Sequence, residues 1–362
     1  MRVIHVGSSY QMGLTSQETN LAISYEKFKD IKFFVLTGEN EQFIGLRDRL
    51  KIADIRHIMI PGLDDHHDFI VLIKRIIKEI RLFKPNIVTV NTNWQLVLFG
   101  VALFFIKSKF KIVYTIHGYR HNHAVKSRVA IVIISILLHI FADKIIAPST
   151  YLKNKFPTLK RRTIHIPLGE DPIFFNKSEA PNFIKPYKFC YPAAFRHGKN
   201  HLDLIEAFAR FIQITGNLDS QLYLPGEGYL LGMAKQCAVK MGIGDRVIFP
   251  GQIDRNKMLE LYLQCQFSIV CSNIETFGHC IAEPLILQRV LITRHIGVAI
   301  DTVNDGVNGL VFDTFEDLVS CLVKIDSMPL EDLMRISASA YRLSPLFNWD
   351  EITKLHINEV FL

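Results

Sequence analysis

Short apolar runs alternate with longer stretches at helical spacing along nearly the whole chain, and the alternation occurs twice. The first series of strand-like runs is Val3–Val6, Lys32–Leu36, His57–Ile60, Ile87–Val90, Ile112–Ile116 and Lys144–Ala147. Helical patterns lie among them at Ser16–Lys29, Leu46–Ala53 and Phe69–Phe83. The second series begins near residue 187, with Phe189–Pro192, Gln221–Leu224, Val247–Phe249, Phe267–Cys271, Val290–Thr293 and Gly309–Phe312. Its helical patterns are His201–Thr215, Leu230–Met241, Met258–Gln264 and Cys280–Gln288. Unbroken apolar strands are buried on both faces, and a helix between successive strands is the crossover that parallel pairing requires. The chain is therefore expected to be α/β, with two doubly wound parallel sheets in tandem. Residues 169–188, rich in Pro, Asn, Lys and Glu, read as the linker. Such sheets bind ligands beyond the carboxyl ends of their strands, so two facing sheets predict a cleft between domains.

A length of 362 residues suits two domains at about 150 each, and 49% apolar residues suffice for two cores. Composition excludes collagen-like, coiled-coil, disordered and disulfide-scaffold classes. The six cysteines all lie in the second half without a Cys-x-x-Cys pair, and read as buried free thiols of a reducing compartment. The opening Met-Arg-Val-Ile-His-Val-Gly is too short an apolar run for a signal peptide and reads as the first strand. Leu96–Ile106 and Val129–Phe141, at 11 and 13 residues, fall short of the ~20 a span needs. They read as core helices or interfacial segments.

Charge divides unevenly. Residues 1–180 hold 26 Lys and Arg against 15 Asp and Glu, while residues 181–362 hold 16 against 20. The bland reading is solvated helix faces. The sharper one is contact with an anionic membrane surface or a lipid-diphosphate acceptor, given Lys74, Arg75, Lys78, Arg81 and Lys84 on an amphipathic helix near apolar stretches. No nucleic-acid module is present, so nucleic acid is not an expected partner.

The stretch Glu275-Thr-Phe-Gly-His-Cys-Ile-Ala-Glu283 follows a buried strand and opens a helix. Gly278 permits close backbone approach to a ligand, and the next N–H groups favour an anion. Glu275 is placed to accept from sugar hydroxyls and Glu283 from a ribose diol. Both also read as solvated or capping acids. Phe195-Arg-His-Gly-Lys-Asn-His201 follows the first strand of the second series. Lys199 and Arg196 are suited to neutralise a diphosphate leaving group, or else form a solvated basic turn.

Taken in order, FRHGKNHLDLIEAF, LPGEGYL, GIGDRVIFPGQI, ETFGHCIAE, DTVNDGVNGLVF and NWDEI, with YTIHGYR and KIIAPSTYLK in the first half, resemble glycosyltransferase family 4. The resemblance covers nearly the whole chain. It implies the GT-B fold, two Rossmann-like domains facing a central cleft. Residues 1–172 would form the acceptor domain, 173–345 the nucleotide-sugar donor domain, and 346–362 would pack back on the first. It implies a retaining, metal-independent glycosyltransferase that needs no cofactor beyond its UDP- or GDP-sugar donor. The product would be a glycan or lipid-linked precursor of a surface polysaccharide, such as lipopolysaccharide, O-antigen, capsule or exopolysaccharide. The expected place is the cytoplasm, peripherally on the inner face of the inner membrane. Carried over, Lys199 and Arg196 would bind the diphosphate, Glu275 the sugar and Glu283 the ribose. Gly226, Glu227, Gly278, His279 and Cys280 would line the donor, His117 the reaction centre, and Gly13 in the first strand-to-helix loop would admit phosphate. The chain departs from the family pattern where Ala194 replaces an upstream arginine, where Gln11-Met-Gly13 replaces a Gly-Gly pair, and where Asp301 replaces a glutamate. A sugar-nucleotide epimerase on a similar fold, and a non-catalytic sugar-nucleotide or membrane-binding protein, are the alternative readings.

Other polar clusters have plainer expectations. Asp64-Asp-His-His-Asp68 reads as a polar loop in which Asp68 caps the following helix. Arg120-His-Asn-His123 reads as an acceptor-side loop or a metal site. Trp94 and Trp349 read as packing residues.

Overall fold

The structure is a computed structural model that describes residues 1–7, 12–28, 30–38, 44–63, 68–106, 109–117, 124–176 and 179–361. The side chains of 12–16, 45–46 and 124–130 lie outside that description. The chain divides into two compact units, Met1–Asp171 with Asn348–Leu362, and Pro172–Phe347.

The first domain runs β1 (Arg2–Val6), α1 (Met12–Glu26), β2 (Lys32–Thr37), α2 (Ile44–Ile52), β3 (His57–Met59), α3 (Phe69–Phe83), β4 (Ile87–Val90), α4 (Asn93–Phe104), β5 (Lys111–Thr115), α5 (Ala124–Phe141), β6 (Lys144–Ala147), α6 (Thr150–Asn154) and β7 (Thr163–His165). Its seven strands pair in the order β3-β2-β1-β4-β5-β6-β7, and each described register is parallel. The order reverses between β1 and β4, which is the switch point of a doubly wound sheet. Helices α3, α4 and α5 pack in succession over one core cluster. The other cluster takes Tyr25 of α1 and the chain's end.

The second domain runs β8 (Lys188–Cys190), α7 (His201–Thr215), β9 (Gln221–Tyr223), α8 (Leu231–Lys240), β10 (Val247–Ile248), α9 (Arg255–Gln264), β11 (Phe267–Val270), α10 (His279–Ile286), β12 (Val290–Thr293), α11 (Ala299–Thr302), β13 (Leu310–Val311), α12 (Phe315–Ser327) and α13 (Leu330–Tyr341). Its sheet order is β10-β9-β8-β11-β12-β13, all parallel. Here the switch point lies between β8 and β11. Phe189 stacks on Phe267 across those strands at 5.0 Å and fixes the centre of this core.

The last helix, α14 (Trp349–Leu355), and a π-helical turn at His356–Phe361 belong to the first domain. Asp350 accepts from Ser24 at 2.8 Å and pairs with Lys27 at 2.6 Å. Tyr25 Oη and His356 Nδ1 hydrogen-bond at 2.8 Å. Trp349 is buried there against Gly169, where any added Cβ would stand 2.3 Å from the indole.

Several expectations change. The helix expected at Ser16–Lys29 starts at Met12, so Gly13 stands in the first turn of α1 rather than in the loop before it. Asp68 occupies the N-cap of α3 but its carboxylate makes no capping bond. Its left-handed backbone (φ 53, ψ 48) departs from the extended conformation from which an N-cap carboxylate reaches the first N–H groups. Asp64–His67 and Arg120–His123 lie outside the described residues. All six cysteines are free, but Cys237 and Cys321 are only half-buried. Trp94 packs on the first core and against Phe69 at 5.7 Å. No helix among the described residues is long and apolar enough to cross a membrane.

Candidate active site

Two loops leave the carboxyl ends of β8 and β11, the strands that flank the second domain's switch point. The β8 loop spans Tyr191–Asn200 and the β11 loop Cys271–Gly278. They are tied at several points. Asn273 N donates to Gly198 O at 2.8 Å. Asn200 Nδ2 donates to Cys271 O at 2.9 Å. Tyr191 Oη donates to Lys199 O at 3.0 Å and shares a 2.7 Å bond with Ser272 Oγ. Left-handed backbone at Gly198 (φ 83) and Asn200 (φ 54) lets the β8 loop turn back over the sheet.

These ties bring Lys199 and Glu275 together as an ion pair, each side chain about one-seventh exposed, at 14% and 13%. Glu275 Oε1 also accepts from Ser272 Oγ at 2.7 Å and weakly from Cys280 Sγ at 3.9 Å. Burial, and then the Glu275 charge, hold the Cys280 thiol well above its ordinary range. It stays protonated and can donate. A half-buried cation and anion at a strand-end switch point form a polar patch suited to a ligand that carries both phosphate and hydroxyls. Arg196 is exposed on the same loop and has no carboxylate partner among the described residues.

Close backbone approach explains the glycines. Gly278 (φ 93) precedes α10, and a Cβ there would lie 2.7 Å from Ile281 Cδ1. His279 and Cys280 open α10 at its electropositive end. Gly226 (φ 145) would drive a Cβ to 2.1 Å from Ala193 O, and Gly228 (φ 151) to 2.4 Å from Phe195 O. The Pro225–Gly228 loop thus lies against the β8 loop backbone, with Phe195 N donating to Glu227 O at 2.9 Å. The Glu227 side chain is exposed.

Glu283 lies deeper, only 3% exposed. One oxygen pairs with Arg255 and the other accepts from Tyr262 Oη at 2.9 Å. A carboxylate so held keeps lone pairs for one more donor.

In the first domain, His117 follows β5, and its Nε2 lies 3.1 Å from Asn91 Oδ1. Asn91 Nδ2 donates to Val6 O at 3.0 Å and Glu18 Oε1 at 3.3 Å. That fixes Oδ1 as the acceptor, so His117 Nε2 carries the proton. Gln95 completes the cluster by accepting from Asn91 N at 2.9 Å and donating to Gly7 O at 2.8 Å. His5, beneath it, bonds Thr89 Oγ1 at 2.7 Å, and burial followed by the His117 and His356 charges lowers it to about 3.

The structure therefore brings Lys199, Glu275, Gly278 and Cys280 together, places Arg196 on the same loop, and sets Glu283 on the helix behind. His117 and Gly13 belong to the first domain. Sequence reasoning missed Ser272, Tyr191 and Arg255 in the second domain and Asn91 and Glu18 in the first. Ser272 lies three residues before Glu275, but the other partners are 28 to 81 residues away in sequence, where no short spacing announces them. It also missed Gly297, where a Cβ would lie 2.3 Å from Phe277 O and 3.0 Å from Glu275 Cβ.

The family described as "Glycosyl transferases group 1" matches residues 174–341, and "Glycosyltransferase Family 4" matches residues 25–172. An uncharacterized glycosyltransferase of Methanocaldococcus jannaschii is 28% identical over 173 residues, which are 47% of this chain and 45% of that protein. The match thus spans less than half the length of that relative. Among solved structures, a glycosyltransferase from Rickettsia africae is similar at 18% identity, covering 98% of this chain and 96% of its own, with TM-score 0.76. Anabaena HepE in complex with UDP-glucose is similar at 17% identity, covering 100% and 99%, with TM-score 0.78. The apo form of the lipopolysaccharide outer core galactosyltransferase WaaB is similar at 15% identity, covering 100% and 99%, with TM-score 0.76. At these identities the likeness is one of fold.

Proposed function

Since the chain is a GT-B protein of the glycosyltransferase family 4 type, matched by one family model in each domain, we propose that it transfers a hexose-type sugar from a UDP- or GDP-sugar to a glycan or lipid-linked acceptor. The observation that carries this reading is the Lys199–Glu275 pair on adjoining loops at the second domain's switch point. Lys199, with Arg196 beside it, would stabilise charge on the diphosphate as the bond from sugar carbon to phosphate oxygen breaks. Glu275 would accept from donor-sugar hydroxyls and fix the ring. Glu283 would accept from the ribose, its geometry set by Arg255 and Tyr262.

Retention of configuration follows if the acceptor hydroxyl attacks on the face the diphosphate leaves. The new bond forms from acceptor oxygen to sugar carbon, the sugar–phosphate bond breaks, and the acceptor proton passes to the departing phosphate oxygen. His117 would steady charge at the sugar rather than take that proton. No step is routed through a metal, so transfer is expected to survive a chelator. As the family resemblance implies, the first domain would take the acceptor and the product would be a surface-polysaccharide precursor.

The test is a screen of purified protein with several UDP- and GDP-sugars by ligand-induced thermal shift, followed by transfer assays of Lys199→Ala and Glu275→Ala. One sugar nucleotide should raise the melting temperature, and each variant should lose about 10²–10³-fold in turnover while staying folded. Unchanged transfer in both variants, or release of an epimerised sugar nucleotide as the product, would overturn the reading.

A further inference from the structure

Glu275 is held by one of its two oxygens. Oε1 takes the Lys199 ion pair, the 2.7 Å bond from Ser272 Oγ and the weak 3.9 Å bond from Cys280 Sγ. Oε2 has no hydrogen-bond partner among the described residues. The three donors come from the β8 loop, the carboxyl end of β11 and the first turn of α10. The stem of the side chain is confined as well. A Cβ added at Gly278 or Gly297 would stand 3.3 or 3.0 Å from Glu275 Cβ. A carboxylate anchored through one oxygen on a confined stem can offer the other to a ligand hydroxyl.

One of the three donors has a second task. In the glycosyl-transfer reading Lys199 meets the diphosphate, so the donor draws its ammonium away from Glu275. The carboxylate then needs a holder that stays. Cys280 is the weaker of the two that remain, because a thiol is a poor donor. Ser272 is fully buried, and its one proton goes to Oε1. The 2.7 Å contact between Ser272 Oγ and Tyr191 Oη must therefore be filled by the phenol proton. Tyr191 Oη also lies 3.0 Å from Lys199 O, so that proton is shared between the two loops. Burial holds the Tyr191 hydroxyl well above its ordinary range, and the proton is present at neutral pH.

We propose that Ser272 and Tyr191 are positioning residues that keep Glu275 aimed at the donor sugar once Lys199 has turned to the diphosphate. The inference rests on the glycosyl-transfer reading and adds to it how Glu275 stays fixed. Lys199 and Glu275 satisfy each other in this structure. Donor binding exchanges that ion pair for two contacts, Lys199 Nζ with phosphate and Glu275 Oε2 with a sugar hydroxyl, while Oε1 keeps the Ser272 proton. Tyr191 aims that proton and ties the Lys199 carbonyl, so the lysine side chain moves while its backbone stays.

The test compares Ser272→Ala, Ser272→Thr and Tyr191→Phe with the unaltered chain, each checked for folding by its melting temperature. Ser272→Ala should lower turnover about 10–100-fold. Its Kd for UDP or GDP alone should be unchanged, while its Kd for the matching sugar nucleotide should rise about fivefold. Ser272→Thr keeps the hydroxyl and should regain transfer. Tyr191→Phe leaves the Ser272 hydroxyl without its aiming partner and should cost about fivefold in turnover. In a Glu275→Ala background, Ser272→Ala should cost nothing further, because the group it holds is gone. Full turnover in Ser272→Ala, an equal loss of nucleoside diphosphate and sugar-nucleotide binding, a folded Ser272→Thr protein as slow as Ser272→Ala, or an added loss in the Glu275→Ala background would each overturn the proposal. Full transfer in Glu275→Ala would overturn the glycosyl-transfer site itself, whereas full transfer in Ser272→Ala alone overturns only this inference.

Discussion

In the second domain the candidate groups stand on loops that touch backbone to backbone, and glycines make the contact possible. In the first domain they hang from strand ends through side-chain hydrogen bonds. Lys199 and Glu275 are charges held by close packing around Ser272, Tyr191 and Gly297. His117 is a ring held by Asn91, itself held by Glu18 and the β1 carbonyl at Val6. The two domains repeat one topology, yet the loops of the second domain leave almost no room for a Cβ at Gly226, Gly228, Gly278 and Gly297, while the first domain's cluster depends on hydrogen-bond polarity. A site that must stabilise departing charge gains from rigidity.

The largest expected effect breaks a backbone contact in the second domain. Gly226→Ala places a methyl 2.1 Å from Ala193 O at a φ of 145. Strain and overpacking together should remove about 4 kcal/mol, read by urea unfolding. Gly198→Ala is the internal control, because nothing lies within 4 Å of the Cβ there and only its φ of 83 is strained. It should cost about 1 kcal/mol. Equal losses in the two variants would show that close approach at Gly226 is not what holds the loop.

That contrast also explains what the amino-acid sequence did and did not reveal. Phe69–Phe83, Ile87–Val90, Lys144–Ala147, His201–Thr215 and Val290–Thr293 appear in the structure with the boundaries their periodicity predicts. Periodicity reports burial, and these elements are buried on a regular face. Helices α12 and α13 went unread although Thr314-x-x-Asp317 is a capping box, with Asp317 bonded back to Thr314 N at 2.9 Å. The Glu275–Glu283 spacing marked the right helix start. It did not show that Glu283 is already held by Arg255 and Tyr262, because those contacts are tertiary. The glycines of the Pro225–Gly228 loop stood in a motif, but their reason, the carbonyls of Ala193 and Phe195, is thirty residues off in sequence and visible only in the fold.

The next effect concerns protonation. Burial lowers His5 to about 3 and His356 to about 4 in the first domain, and burial with the Lys199 charge lowers His201 to about 4 in the second. A folded value below the unfolded one near 6.5 means that the neutral ring stabilises the fold above pH 6.5. That contribution is lost as pH falls from about 6.5 toward 4, roughly 3 kcal/mol for each histidine. The first domain has two such rings and should unfold at the higher pH. Both tryptophans, Trp94 and Trp349, lie in it, so tryptophan fluorescence follows that domain alone. The fluorescence change should precede the main loss of far-ultraviolet dichroism on acidification. Coincident transitions would sink the idea that the first domain is the acid-sensitive one.

The smallest effect tests whether hydrogen-bond polarity orients His117. Asn91→Leu keeps much of the volume but removes the acceptor for His117 Nε2 and the donor to Val6 O. The ring then loses its fixed tautomer and direction, and turnover should fall about 10–100-fold with donor KM nearly unchanged. Asn91→Asp sharpens the reading, because a carboxylate beside Nε2 favours the charged imidazolium and should move the acidic limb of the pH–rate profile upward. A merely structural Asn91 would lower folded yield in both variants and leave that limb where it was. A KM increase without a turnover change in Asn91→Leu would instead place the residue in binding.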